Sequence, residues 1–96
     1  MIELRLLRYF VTVAHEGNFN RAAQRLNIAQ PPLSRAIQQL ENQVGAPLLD
    51  RTTRPVRLTD VGRLLYDQAV QMLARIEDVE AMVTAAATSQ RRGVVI

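Results

Sequence analysis

The stretch Gln30-Pro31-Pro32-Leu33-Ser34-Arg35, with Gln38 one turn further on, puts amides, a hydroxyl and a guanidinium at the head of an amphipathic segment. A primary amide matches the edge of adenine, a guanidinium matches the two acceptors of guanine, and a hydroxyl suits a base or a phosphate. An outward helix face of Ser34, Arg35, Gln38 and Asn42 is equally what solvent accepts. Which applies depends on the elements that hold these residues.

Other chemistries find little footing. The chain has no cysteine, which excludes disulfides, thiol catalysis and the usual Cys-based zinc sites. Its one histidine, His15, falls in the last turn of a first helix, where a cation favours the helix dipole. No second metal ligand accompanies it, so neither a metal nor a cofactor is expected. Ser34 is the only candidate nucleophile near a helix start, but His15 lies in another element without an adjacent carboxylate motif, and there is no Gly-rich phosphate loop. The residues do not ask for an enzyme.

Ninety-six residues, 48% apolar and 22% charged, make one folded domain with a small core. All twelve basic residues are arginine, the net charge is +3 and the pI is about 10.6. The distribution says more than the sum. Met1–Arg63 carries nine arginines against five acids, whereas Leu64–Gln90 carries one arginine against four. The basic surface therefore belongs to the first two thirds. Arg5 and Arg8 interrupt the N-terminal apolar run, and nowhere are there 18 consecutive apolar residues. A soluble, cytoplasmic protein without a membrane partner is expected.

Leu4, Leu7, Phe10, Val11 and Ala14 recur at helical spacing and Gly17 supplies a stop, predicting a first helix from about Glu3 to Glu16. Asn18 is an N-cap candidate for a short second helix that buries Phe19, Ala22, Ala23 and Leu26 and ends at Asn27. The third helix carries Leu33, Ile37, Leu40 and Val44 on one stripe and ends at Gly45. A residue preceding proline is pushed out of the α region, so Gln30 and Pro31 are expected to be extended and Pro32 to be the first helical residue. Leu48-Leu49 and Val56-Arg57-Leu58 then read as a small hairpin around a polar tip, with Pro55 marking an edge.

Thr59 is an N-cap candidate for a fourth helix, with Asp60 in its first turn. From there Leu65, Ala69, Met72, Ile76, Val79, Val83 and Ala86 follow a 4-3 alternation, an unbroken heptad seam. A helix of about thirty residues is roughly 45 Å long at 1.5 Å per residue, more than the preceding domain can cover. Its far half must find a partner. Gly93-Val94-Val95-Ile96, after the polar Gln90-Arg91-Arg92, looks like the first strand of a further domain, so the chain is expected to be a fragment.

Helices two and three, with Ala22, Leu26, Ile28 and Leu33 apolar and a small Ala23 at their crossing, form the helix-turn-helix pattern. In that motif the second helix lies in the DNA major groove, with its N-terminal residues at base edges. Those residues here are Gln30, Pro31, Pro32, Ser34, Arg35 and Gln38. The hairpin makes the motif winged, and Arg54 at its tip suits the narrow, electronegative minor groove. Arg51, nearer the strand, suits a structural ion pair equally well. The heptad helix taken alone permits a second class of function, a coiled-coil interaction module on a basic scaffold.

The run "LRYFVTVAHEGNFNRAAQRLNIAQPPLSRAIQQLENQVGAPLLDRTTRPVRLTDVG" resembles the bacterial LysR-type transcriptional regulators, most closely in Phe19–Ala23, Gln30–Arg35 and Leu58–Gly62. Leu49 departs from the resemblance, standing where many members carry an aromatic. The resemblance implies a mainly α fold: a winged helix-turn-helix of three helices and a two-stranded wing over residues 1–58, then a long linker and dimerisation helix over 59–89. Residues 90–96 would be a hinge and the start of an effector domain that binds a small-molecule inducer. It further implies base and groove contacts at Gln30, Pro31, Pro32, Ser34, Arg35 and Arg54, and, by extension, phosphate contacts at Asn20, Arg21 and Gln38. Targets would be interrupted inverted repeats in double-stranded DNA, bound by a homodimer joined through Leu65, Ala69, Met72, Ile76, Val79 and Val83 with linker helices antiparallel. Tetramer assembly would be left to the full-length protein. The Gln30–Arg35 and Arg54–Val56 segments look like those of members controlling aromatic-compound catabolism.

Overall fold

The computed structural model describes residues 1–91, so the strand expected at Gly93–Ile96 lies outside the described residues. Four helices and one hairpin follow in order: α1 (Leu4–Glu16), α2 (Phe19–Leu26), α3 (Gln30–Val44), β1 (Leu49–Asp50), β2 (Arg57–Leu58) and α4 (Asp60–Arg91).

Helix ends lie where local chemistry puts them. Gly17 takes the left-handed conformation with φ 66° and its N–H donates to Val13 O, closing α1. The Asn18 side chain accepts from Arg21 N at 2.8 Å, satisfying one of the free donors of α2. Asn27, at φ 59°, ends that helix and turns Ile28 back so that its N–H reaches Ala23 O at 3.0 Å. The Thr59 hydroxyl accepts from Gly62 N at 3.0 Å while donating to Pro47 O at 2.7 Å. It caps α4 and ties that cap to the segment entering the wing.

The expectation for the prolines is corrected. Ala29 is the N-cap, with extended φ −74° and ψ 155°, and Gln30, Pro31 and Pro32 are the first three helical residues. The first four N–H groups of a helix have no intrahelical partner, so two missing donors here cost the ladder nothing, and proline's fixed φ is already helical. The bias against helix at a pre-proline residue is a preference, and at Gln30 the helix overrides it.

Helix α1 is also rotated from its expected orientation. Leu6, Leu7, Phe10 and Val13 are buried, whereas Leu4 is exposed and Val11 and Ala14 are half-buried. This helix is apolar on more than one side, so periodicity alone leaves its inward face open. The core gathers Leu6, Phe10, Val13, Leu33, Ile37, Leu40 and Leu48, all fully buried, with Ala22 and Ala23 at the α2–α3 crossing. Leu49, the position that departs from the resemblance, is buried in the same core.

The wing is a two-stranded antiparallel ladder pairing Leu49 with Leu58 and Asp50 with Arg57. It is shorter than expected, Leu48 and Val56 falling outside it. Helix α4 leaves it at once and returns along α1, where Tyr66 meets Phe10 edge-on at 6.4 Å. Gly62 makes that departure possible. A Cβ at this position would land on the Leu48 carbonyl oxygen.

Of the predicted heptad seam, Leu65 packs against the core and Ala69 is fully buried. These two residues are committed within the domain, because the first turns of α4 lie on α1. Further out the seam opens: Met72 is 42% exposed, Val79 40% and Val83 62%. The helix continues through Gln90 and Arg91, and the molecule reaches 57 Å along its long axis against 25 and 21 Å across.

Candidate nucleic-acid interface

The N-termini of α2 and α3 and the wing tip surround one cleft of about 500 Å³. Asn20 and Arg21 come to it from the first turn of α2, Gln30 and Ser34 from the start of α3, and Arg54 from the wing. These are five of the nine residues singled out for DNA, drawn from three elements. The remaining four, Pro31, Pro32, Arg35 and Gln38, lie outside the cleft and are all exposed.

At about 100° per residue, Pro31, Ser34, Arg35 and Gln38 fall within one arc of roughly 100° on α3, opposite the buried Leu33, Ala36, Ile37 and Leu40. Pro32 falls on the flank of that arc. Gln38 spends one amide hydrogen on Asn42 Oδ1 at 3.1 Å, a bond along the exposed face of the same helix. Its carbonyl oxygen and second hydrogen remain available.

Charge pairing separates the arginines by role. Arg25 meets Glu16 at 2.8 Å and Arg51 meets Glu41 at 3.1 Å. Among the described residues no carboxylate lies within 4 Å of Arg21, Arg35 or Arg54. The same is true of Arg8, Arg57 and Arg75, so freedom alone does not mark a site. What distinguishes Arg21, Arg35 and Arg54 is their grouping around the start of α3. Unpaired guanidiniums gathered beside helix N-termini suit a polyanion, since both the side chains and the helix dipoles favour negative charge there.

The wing loop is shaped by its own polar groups. Asp50 accepts from the Thr52 hydroxyl at 2.6 Å and from Thr52 N at 3.0 Å, and these two donors hold its carboxyl below the usual carboxylate range. Thr53 Oγ1 donates to Pro55 O at 3.0 Å, closing the tip around Arg54. The Arg54–Pro55 peptide is cis.

Three residues that matter to this geometry are not among the expected DNA contacts, although the sequence marks Gly17 as a helix stop and Phe19 as an inward-facing residue. Glu41 is buried at 8% exposure, and its Oε2 accepts from Leu48 N at 2.7 Å and Leu49 N at 3.3 Å while Oε1 takes Arg51. The ring of Phe19 carries the other face of Arg51, whose guanidinium carbon is 4.9 Å from the ring centroid. Gly17 O accepts Val56 N at 3.0 Å, and a Cβ at Gly17 would come within 2.8 Å of Pro55 Cβ. The only local signal for Glu41 is an acid flanking the apolar stripe of α3. Of the two roles open to Arg51, the ion pair is the one observed.

The sequence profile of the bacterial regulatory helix-turn-helix proteins of the lysR family matches residues 4–63. A probable cat1 operon transcriptional activator of Acinetobacter lwoffii is 58% identical over 90 residues, which is 94% of this chain and 30% of that protein. An HTH-type transcriptional regulator of Acinetobacter baylyi, BenM, is 48% identical over 81 residues, 84% of this chain and 27% of the relative. The chain thus spans under a third of the length of these curated relatives. Among solved structures, the complex of the BenM DBD with catB site 1 DNA superposes with a TM-score of 0.87 at 46% identity, covering 90% of this chain and 96% of that one. The CbnR DBD–DNA complex does so with a TM-score of 0.81 at 38% identity, covering 90% and 99%. These relatives are regulators of transcription, no helix among the described residues is long and apolar enough to cross a membrane, and the helix-turn-helix, wing and long helix recur in the DNA complexes. The chain belongs to the lysR family of bacterial regulatory helix-turn-helix proteins.

Proposed function

We propose that this chain is the DNA-reading part of a transcription regulator, binding an interrupted inverted repeat in double-stranded DNA as a homodimer and acting in the cytoplasm without catalysing a reaction. The observation that carries the reading is the convergence of Asn20, Arg21, Gln30, Ser34 and Arg54 on one cleft beside the exposed Arg35. On this reading Gln30, Pro31, Ser34 and Arg35 face base edges in the major groove. Pro32 lends the same tip apolar surface, Arg54 enters the minor groove, and Asn20, Arg21 and Gln38 meet phosphates. That the similar BenM and CbnR DNA-binding domains are seen in complex with DNA supports a DNA-binding role for this chain.

Dimerisation is assigned to the outer part of α4, where Met72, Ile76, Val79 and Val83 continue the seam after Leu65 and Ala69 have turned to the domain's own core. The exposed seam equally favours a second reading, an interaction module that holds a protein partner without reading DNA. Selection of bound sites from a genomic DNA library, followed by gel shifts at several salt concentrations, tests both. A regulator yields paired half-sites and an affinity that falls steeply with salt. Recovery of no common sequence, with salt-insensitive retention, would leave the interaction module standing. Effector binding and tetramer assembly belong to the longer protein on this proposal.

A further inference from the structure

We infer that Glu41, Arg51 and Phe19 are positioning residues that fix the wing against the recognition helix and thereby set how sharply Arg54 discriminates its groove. The inference rests on the DNA-binding reading above. None of the three is needed as a DNA contact.

The geometry is a relay across three elements. Glu41 projects from the last turn of α3, on the side of the helix nearest Ser34, and is almost fully buried. One carboxylate oxygen grips two successive backbone N–H groups at the foot of β1, and the other holds Arg51 one residue past that strand. Arg51 then lies across the Phe19 ring, the first residue of α2. A single guanidinium therefore links the recognition helix, the wing and the helix that supports both.

Its placement matters because Arg54 is only three residues further on. The loop between β1 and β2 is restrained at its outgoing side by Arg51 and at its returning side by Val56 N donating to Gly17 O at 3.0 Å. Arg54 lies between the two restraints. With the outgoing one released, the two-residue strands leave little to hold the tip at a constant distance from α3. Readout of groove width depends on where the guanidinium is held, whereas non-specific attraction to phosphate depends mainly on its charge.

The absence of cysteine allows a direct measurement of wing position. Spin labels attached at Arg54→Cys and at Gln39→Cys, an exposed site on α3, report the wing-to-helix distance in the free protein by pulsed electron resonance, with unlabelled chain added to suppress intersubunit signals. Arg51→Gln and Phe19→Leu are expected to broaden the distance distribution, and Phe19→Tyr, which keeps the ring face, to restore it. With unlabelled protein on a selected operator, the same two variants should lose discrimination for A·T over G·C pairs under the wing by about three- to tenfold, the range of a partly desolvated cation–π contact. Discrimination at the pairs under α3 should stay unchanged.

An unchanged distance distribution in both variants would overturn the relay whatever the DNA results. Broadening with an equal loss of discrimination under the wing and under α3 would make the three residues merely structural and overturn the positioning role. If wild-type protein selects no operator, the DNA-binding reading fails and the role in groove readout with it, while the distance measurement still judges the relay.

Discussion

The two ends of this molecule solve opposite problems. At the end that carries the cleft, short elements are crossed, capped and tied to one another by side chains with dedicated partners. Arg51 is held between Glu41 and Phe19, Thr59 between Pro47 and Gly62, and Asn18 on Arg21 N. Along the outer half of α4 nothing among the described residues packs over Val79, Met82 or Val83, and the helix runs on regardless. An isolated helical segment draws most of its stability from packing its apolar face. The first region is covered within one chain, whereas the second leaves its apolar residues exposed, as the proposed dimer would require.

The sharpest test of that contrast is in the core. Phe10 is fully buried and touches Tyr66 of α4, so Phe10→Ala is expected to destabilise the fold by about 3–5 kcal/mol. Urea titration followed by circular dichroism reads it, and a loss below 1 kcal/mol would mean that the two regions are less distinct than described. Next in size is Val79→Asp. The side chain is 40% exposed in the single chain, so the winged domain should keep its thermal transition while sedimentation shifts from dimer to monomer. A variant that remains fully dimeric would place the subunit contact on another surface.

Arg35→Ala follows. With no carboxylate partner within 4 Å among the described residues, its loss should leave stability unaffected but cost about 1–3 kcal/mol of operator affinity, with relaxed preference at one base position. Wild-type affinity and selectivity in a gel shift would remove Arg35 from the reading set. The smallest effect concerns the wing turn. Because Thr52 holds the Asp50 carboxyl below its ordinary range, its contribution to stability is present above the unfolded carboxylate value and is lost as pH falls through the lowered folded value. Wild type and Asp50→Asn should therefore converge in urea midpoint as the pH is taken down through that range. Curves that stay parallel into acid would show that the turn does not depend on this charge.

The helix boundaries were legible because caps are local. Gly17, Asn18, Asn27, Gly45 and Thr59 each act within a few residues of themselves, and each stops or starts a helix where its type indicates. Of the five cleft residues, Gln30, Ser34 and Arg54 could be named because a helix-turn-helix with a wing has fixed places for them, whereas Asn20 and Arg21 follow only by extension from the family resemblance. Less was visible where the deciding partner is remote in sequence. Glu41 finds its ligands seven to ten residues away and across a turn, and the inward face of α1 depends on what α3 and α4 present to it. Gln30 shows a third kind of limit. A statistical bias at one residue yielded to the helix that the next fourteen could form.

Gly62 has a mechanical consequence. With no side chain to hold the two apart, the base of α4 rests directly on the backbone of Leu48, and Thr59 clasps the same corner. The long helix thus behaves as a lever hinged on a bearing with almost no play. For a rod of 32 residues, about 48 Å at 1.5 Å per residue, a tilt of about one degree at the base carries the tip through about 0.8 Å. In the proposed dimer the spacing of the two DNA-binding heads would follow from this joint together with the packing of Leu65, Tyr66 and Ala69 on the domain, and a methyl group added at Gly62 would force the base of α4 away from Leu48.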